Sequence, residues 1–280
     1  MSEPTQTTLQ PASPTAREFR TKIRRLPAGN GWIWIKAGWE LFKLTPLQAC
    51  LASLILVLVP FIGLVIPQVG SLISTLLAPT IAAGAFLLWE GLQRTGKLKL
   101  EDILGGFNLE FKNLLLVGLL NLAAMMVIGL LALGFTLLAG FLILDFSKDG
   151  IAELVQHAGS IFTAHDPNTF LAALSSPIFL LVAFGVTLAM GLAVPLLMAQ
   201  AFAPALVVFY KLGPVEAMKV SFSACLANVW PFLVYGLIFA PLYLLALIPL
   251  GLGIFVVYAI LSASTYYAFT DILGEIPKRN

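Results

Sequence analysis

Ionisable residues are scarce in the long apolar stretches of this sequence, and the few that occur are the first candidates for chemistry. Glu90 and Asp271 lie where such stretches end, and Arg94 follows Glu90 by four positions. Charge deep in a membrane is costly and usually marks function, whereas charge at a membrane surface is cheap. We therefore expect the two carboxylates either to pair with nearby Lys or Arg, or to form a small acidic ring at an inner vestibule.

A basic cluster next to Glu90 indicates a second kind of chemistry. Arg94, Lys97 and Lys99 would attract the phosphate groups of lipids at a membrane surface. Polar residues within the apolar stretches are fewer. Asn121 and Gln200 are predicted to hydrogen-bond between helices, as packing residues.

No pattern typical of catalysis or of cofactor binding is present: the sequence has no glycine-rich phosphate loop, nucleophile–base pair or zinc-ligand spacing. His157 and His165 lie among acidic residues, but a metal site needs at least three converging ligands, and the sequence shows only nearby pairs. Cys50 and Cys225 have no ligating neighbours and are expected to fill space in the core. We therefore predict no enzyme activity, metal or cofactor.

Composition indicates which elements position these residues. Of 280 residues, 59% are hydrophobic and 11% are charged, whereas soluble domains carry about 25% charged residues. The four stretches without Asp, Glu, Lys or Arg lie between Lys43 and Glu90, Lys112 and Asp145, Asp166 and Lys211, and Lys219 and Asp271. Because a spanning helix needs about 20 apolar residues, these stretches predict an all-α membrane protein with six transmembrane helices.

The positions of the basic residues predict the orientation. Fifteen of the sixteen Lys and Arg lie before residue 46, between 94 and 112, or in the segments containing Lys211, Lys219, Lys278 and Arg279. Positive residues mark cytoplasmic loops, so both termini are expected in the cytoplasm. The segments are then a disordered basic tail at 1–26, one transmembrane domain at 27–275 with its outer loop at 145–169, and a short tail at 276–280.

Residues 31–46, GWIWIKAGWELFKLTP, predict an amphipathic helix lying in the membrane interface. The alternative is a half-buried surface helix of a soluble domain. Its aromatic stripe has helical spacing and consists of Trp32, Ile35, Trp39 and Phe42. The predicted interfacial anchors are Trp32, Trp39, Phe42, Phe107, Phe222 and Trp230. All five Trp are expected near the inner membrane surface, as an aromatic belt.

A short phrase that occurs three times predicts an internal repeat. It comprises a small residue, an aromatic residue, five further residues and a polar residue before a span, and the polar residues are Thr45, Asn113 and Asn228. Each is expected to cap the helix that follows. We thus expect three units, at about 31–92, 100–212 and 213–273, each an interfacial helix followed by a transmembrane hairpin.

Two further features concern the spans. The fourth is expected to run from Pro177 to about Tyr210 with Pro195 and Pro204 inside it, because neighbouring helices can absorb proline kinks. Small residues at spacings of four predict two close-packing faces, formed by Gly185, Ala189 and Ala193 and by Gly236 and Ala240.

Two motifs carry a resemblance to a known family. The pattern Gly31-Trp32-x-Trp34-x3-Gly38-Trp39-x-Leu41-Phe42-Lys43-x2-Pro46 resembles the opening of a family of uncharacterised six-helix bacterial inner-membrane proteins. Phe202-Ala203-Pro204-Ala205-Leu206, followed by Ala217-x3-Ser221-Phe222 and Asn228, is similar to the second hallmark of that family. The resemblance covers roughly residues 27–275. It implies six helices in the inner (plasma) membrane, and it implies no activity and no site residue.

Two functions of different classes fit these observations. The first is an accessory, assembly or regulatory protein that packs against an inner-membrane partner or a second copy of the chain. It is favoured because the spans hold few converging polar groups, which small-molecule sites usually need. The alternative is binding or translocation of a phospholipid or another hydrophobic small molecule, with the basic cluster around Arg94 as the headgroup rim. The lipid bilayer is a partner in both cases, and no nucleic acid is expected.

The orientation can be tested with single cysteines in a Cys-free background. Cysteines at Gln68 and Ser147 should react with an impermeant maleimide from outside the cell, and a cysteine at Thr95 only from inside. Labelling of the Thr95 position from outside would contradict the predicted topology.

Overall fold

The long apolar stretches of the sequence fold into helices. The structure, a computed structural model, describes residues 23–65, 69–143, 177–248, 250–274 and 276–277, and within these ranges it is helical with no strand. The first helices are α1 (Asn30–Leu44), α2 (Pro46–Val65), α3 (Val69–Thr95), a 3-10 turn at Leu100–Leu104, α4 (Gly105–Leu109) and α5 (Phe111–Ile143). They are followed by α6 (Pro177–Ala201), α7 (Ala203–Tyr210), α8 (Pro214–Ala227), α9 (Val229–Leu247) and α10 (Gly253–Leu273).

Several of these helices are long and apolar enough to cross a membrane. Five pass by length and composition: Val69–Thr95, Phe111–Leu142, the run Phe179–Tyr210 that joins α6 and α7, Val229–Leu247 and Gly253–Leu273. Asn30–Leu44 and Pro46–Leu58 pass only as a pair, with a bend of 109° between them. The described residues therefore confirm an all-α protein with a membrane location and five or six candidate spans. The predicted outer loop at 145–169, with His157 and His165, lies outside the described residues.

The chain divides into two compact units. The first comprises residues 1–122 and 197–280, and the second comprises 123–196. Aromatic rings fill the core of the first unit: Phe202 lies 5.5 Å from Phe269 and 5.9 Å from Phe232, measured between ring centroids. In the second unit α5 and α6 approach closely, because Gly185 lies directly against the side chain of Thr136.

Helix α1 packs on α9 and α10 with a face that contains only part of the predicted aromatic stripe. The buried residues of α1 are Gly31, Trp34, Ile35, Gly38, Leu41 and Phe42. Trp32 and Trp39 are 48% and 43% exposed and lie on the side of Lys36 and Glu40. Ile35 and Phe42 of the predicted stripe are therefore buried against the protein, whereas Trp32 and Trp39 lie outside that buried face.

Two glycines explain this orientation of α1. A Cβ on Gly38 would overlap the Ser264 hydroxyl and lie 2.7 Å from the Ser264 backbone nitrogen. A Cβ on Gly31 would lie 2.8 Å from the backbone nitrogen of Tyr235. Because glycine has only a hydrogen atom in place of a side chain, the α1 backbone approaches α9 and α10 more closely at these positions than any other residue would allow. Gly31 and Gly38 lie seven residues apart on one face of α1. This glycine face is the one that is buried against α9 and α10.

Two of the five Trp side chains in the predicted belt face the protein core. Trp34 and Trp89 are fully buried, and their indole nitrogens donate to Asp271 and Ser262 at 2.9 Å. A buried indole N–H needs such an acceptor. Trp230, in contrast, is 69% exposed.

The polar residues of the repeated phrase do not cap the spans that follow them. The hydroxyl of Thr45 is buried and has no hydrogen-bond partner. Asn113 lies inside α5 and donates to the Glu110 carboxylate at 2.8 Å. Asn228 precedes α9 without a capping bond, because its side chain bonds to the N-terminal segment and to Ala224 instead. Tertiary contacts thus override the local capping preference.

One other local prediction fails for a backbone reason. Pro195 lies inside α6 as expected, but Pro204 lies in the first turn of a new helix, α7, after a break at Phe202. Proline lacks the N–H that a continuous helix would need and is well suited to a first turn. The face of Gly236 and Ala240 is exposed, and nothing in the described part of the chain lies within 4 Å of a Cβ on Gly236.

The close approach of α1 predicts the effect of one methyl group. Gly38→Ala should destabilise the protein by about 1–3 kcal/mol, because α1 and α10 must separate to make room. Thermal unfolding in mild detergent would measure the change. Gly29→Ala is the matched control, since a Cβ on Gly29 meets nothing within 4 Å. Equal midpoints for the two variants would contradict the proposed packing.

Candidate functional site

Glu90 and Asp271, far apart in the sequence, line the same cavity in the first unit. This polar cavity has a volume of about 560 Å³ and lies between the ends of α3 and α10. Its lining consists of Glu90, Gln93, Arg94, Tyr266, Tyr267, Thr270, Asp271, Ile276 and Pro277. The volume falls in the range of about 300–1,000 Å³ that is usual for small-molecule sites.

The α3 wall carries a charged pair one helical turn apart. Glu90 is 3% exposed, and Arg94 donates from Nη1 to its Oε1 over 3.0 Å. The side chain of Arg94 is half exposed, so the guanidinium connects a buried carboxylate to the cavity opening. Lys97 and Lys99, the other members of the predicted basic cluster, are exposed and do not line the cavity.

Asp271 on the α10 wall is held by residues from the beginning of the chain. Its Oδ2 accepts hydrogen bonds from Asn30 Nδ2 at 3.0 Å and from Trp34 Nε1 at 2.9 Å. Arg24 Nη1 lies 3.7 Å from Oδ1. The carboxylate thereby fixes α1 against the end of α10. Contacts to both of its oxygens hold the Asp271 side chain in the cavity wall.

Residues 23–28 form an N-terminal strap across this end of the unit. Leu26 donates its backbone N–H to Asn228 Oδ1 at 2.9 Å, and Asn228 Nδ2 donates to the Arg24 carbonyl at 3.0 Å. The Arg24 N–H donates to the Ile272 carbonyl at 3.0 Å. The prediction of a disordered tail up to residue 26 is therefore wrong for 23–26, and residues 1–22 lie outside the described part. Ile23 and Leu26, two apolar residues in a basic segment, pack against the core.

The remaining polar groups of the cavity are ordered by hydrogen bonds between its walls and within α10. Tyr266 donates its hydroxyl to Gln93 Oε1 at 3.0 Å, which joins α10 to α3. Thr270 donates to the Tyr267 carbonyl at 2.9 Å. With two carboxylates, one guanidinium and an amide, the cavity presents both acceptors and donors. It can therefore hold a polar group that carries both signs of charge or both kinds of hydrogen-bonding atom.

The other predicted site residues lie elsewhere. Gln200 on α6 donates its side-chain N–H to Asn121 Oδ1 on α5, so the structure joins this pair away from the polar cavity. Phe107 is partly exposed and stacks on Phe111. Phe222 is half-buried on α8. Among the described residues, no group of three or more His, Cys, Asp or Glu could hold a metal ion.

Cys225 lies on α8 and is buried. Burial raises the pKa of its thiol to about 12, against a smaller lowering from a hydrogen bond with Ser221. The thiol is therefore protonated at neutral pH and a poor nucleophile. This agrees with its interpretation as a core residue.

Sequence reasoning missed Gln93, Tyr266, Tyr267 and Thr270. A spacing signal was present, because Gln93 and Arg94 lie three and four residues after Glu90, on the same helix face. Tyr267 likewise precedes Asp271 by four positions. These two helix faces predict a shared polar surface only if it is already known that the ends of α3 and α10 lie next to each other.

Comparisons of the chain with known protein families, with curated proteins and with solved structures give no match. The resemblance to an inner-membrane family therefore stays a prediction from its motifs.

The network around Asp271 predicts the consequence of removing its carboxylate. Asp271→Ala leaves the N–H groups of Trp34 and Asn30 without their acceptor, which should cost about 1–3 kcal/mol. The strap should also loosen, so trypsin should cut faster after Arg24 and Arg25. Asp271→Asn keeps an acceptor oxygen and should have a smaller effect on the thermal midpoint. Unchanged cleavage and unfolding in both variants would contradict this role.

Proposed function

We propose that this chain is a six-span protein of the bacterial inner membrane that binds an amphipathic molecule through the polar cavity. Both termini lie in the cytoplasm in this proposal, because the basic residues gather on the side of Arg94, Lys211 and Lys219. The polar cavity then opens at the cytoplasmic membrane surface. The sixth span is α2, which follows α1 after the 109° bend.

The proposed architecture is three repeats of a short helix and a hairpin. Its support is the order of elements, since α1, the turn with α4, and α8 each precede a long apolar helix. In two units the aromatic residue of the phrase stacks on a Phe one helical turn later: Trp39 on Phe42 and Phe107 on Phe111, three and four positions on, with centroids 5.5 and 5.6 Å apart. Pro79 and Pro204 follow the similar dipeptides Leu77-Ala78 and Phe202-Ala203 in the first two units, but Pro79 lies within α3 and Pro204 in the first turn of α7.

The observation that carries the binding function is the convergence of polar side chains on one cavity. The argument for an accessory role was that the spans contain few converging polar groups. Glu90, Arg94, Tyr266 and Asp271 come together at the ends of two spans, although they are separated by up to 181 positions in the chain. A few placed polar groups on an otherwise apolar protein are what orients a small ligand.

Charge in the cavity indicates the kind of ligand. Glu90 and Asp271 offer oxygens to an ammonium or hydroxyl group, and the half-exposed Arg94 offers N–H groups to a phosphate or carboxylate. A phospholipid with a zwitterionic headgroup, or another amphipathic small molecule with both kinds of group, satisfies this arrangement. Its apolar part would remain in the bilayer.

An accessory role is a second candidate, favoured by the exposed face of α9. Gly236 and Ala240 are both exposed, and Leu233, Leu237 and Leu244 are exposed on the same helix. Small residues four apart allow close contact with another helix. A membrane partner or a second copy of the chain would pack there.

Site-directed photocrosslinking separates the two functions. A photoreactive residue at Tyr267, in the cavity wall, should capture one lipid class or small molecule well above its share of the membrane. The same group at Trp230, which is exposed and outside the cavity, should capture the bulk lipid mixture. At Gly236 it should report any protein partner.

Charge variants test the cavity independently. Glu90→Gln combined with Arg94→Gln preserves the net charge and should lower ligand retention on purification by about tenfold or more, because hydrogen bonds to charged groups are lost. Lys97→Gln is the matched control, since Lys97 lies outside the lining. Identical captured material at Tyr267 and Trp230, with unchanged retention in the double variant, would refute the binding function. A specific protein adduct at Gly236 would then favour the accessory role.

A further inference from the structure

A second, chemically different groove lies beside α8 in the first unit. It has a volume of about 520 Å³ and is bounded by Leu120 of α5, Ala199 of α6 and one face of α8. The α8 face contributes Val215, Met218 and Phe222, at spacings of three and four. These five side chains make the walls apolar. They extend from α8 to Leu120 in the first half of α5 and to Ala199 near the end of α6.

Lys219 is the one charged residue in the lining of this groove. It is exposed, and within the described part of the chain it forms no salt bridge, although Glu216 precedes it by three positions. The remaining polar lining residue, Ser223, donates its hydroxyl to the Lys219 carbonyl at 2.8 Å. The groove thus offers one cation and no carboxylate, whereas the polar cavity offers carboxylates and a guanidinium.

We infer that this groove binds an anionic phospholipid from the cytoplasmic leaflet. An acyl chain lies against Leu120, Met218 and Phe222, and the phosphate group pairs with the ammonium of Lys219. A basic side chain at the rim of an apolar groove between helices is a typical site for an anionic headgroup. A zwitterionic lipid gains less, because no lining carboxylate is present to pair with its ammonium.

This inference depends on the chain spanning a membrane and is independent of a ligand in the polar cavity. The two sites share no lining residue. Their variants therefore serve as controls for each other.

The test uses the full chain reconstituted in vesicles of equal parts phosphatidylglycerol and phosphatidylethanolamine, extracted in mild detergent and examined by native mass spectrometry. The wild-type protein should retain phosphatidylglycerol in preference to phosphatidylethanolamine. Lys219→Gln should reduce this preference about fivefold, the effect expected of one basic residue near the surface. Lys219→Arg should restore it.

Three controls define the site. Lys211→Gln removes an exposed lysine outside the groove and should leave the preference unchanged. The Glu90→Gln/Arg94→Gln variant should also keep it, even if the polar cavity loses its own ligand. Val215→Trp fills the groove and should reduce retention of phosphatidylglycerol while the thermal midpoint stays near that of the wild type.

Two results would overturn the inference. One is an equal preference in the wild type and Lys219→Gln, which would make the retained lipid non-specific. The other is a protein adduct, in place of lipid, from a photoreactive residue at Val215, which would make the groove a protein interface.

Discussion

A carboxylate at the end of an apolar helix must be compensated, and Asp271 is compensated by residues from the other end of the chain. Asn30 and Trp34 donate to it, and Arg24 lies 3.7 Å away. Removing a charge from water without such partners would be costly. The contact therefore holds α1 and the N-terminal strap on the end of α10. Because it does so, one wall of the polar cavity has a fixed position.

The apolar helices are joined by a small number of polar contacts and by close backbone approach. Trp89 donates to Ser262, Gln200 to Asn121, and Tyr235 to the Leu261 carbonyl. In a membrane, where lipid tails are as apolar as Leu, such bonds and small residues replace much of the hydrophobic driving force between helices. Gly38 against Ser264 is the clearest example of close approach. These contacts select one arrangement among many that would bury similar apolar surface.

The two concavities of the first unit differ in the charge that each presents. Glu90, Arg94 and Asp271 give the polar cavity both signs, whereas Lys219 gives the groove beside α8 a single positive group. Under the proposed function, this difference in charge decides which headgroup each can accept. If both sites bind lipid as proposed, the placement of a few ionisable residues is enough to discriminate between headgroups.

Composition and charge placement by themselves determined the all-helical, membrane-located character, because charge-free stretches of spanning length have few other stable structures. They also singled out Glu90, Arg94 and Asp271, since charge at the ends of apolar stretches is visible in any sequence. Helix periodicity does not determine which face of α1 is buried, and the position of Asn228 before a span predicts a cap, whereas its side chain holds the strap. Both depend on which helices meet, through Gly31, Gly38 and the end of α10. Only the tertiary structure decided those contacts, because close approach and side-chain pairing join residues that lie up to 247 positions apart.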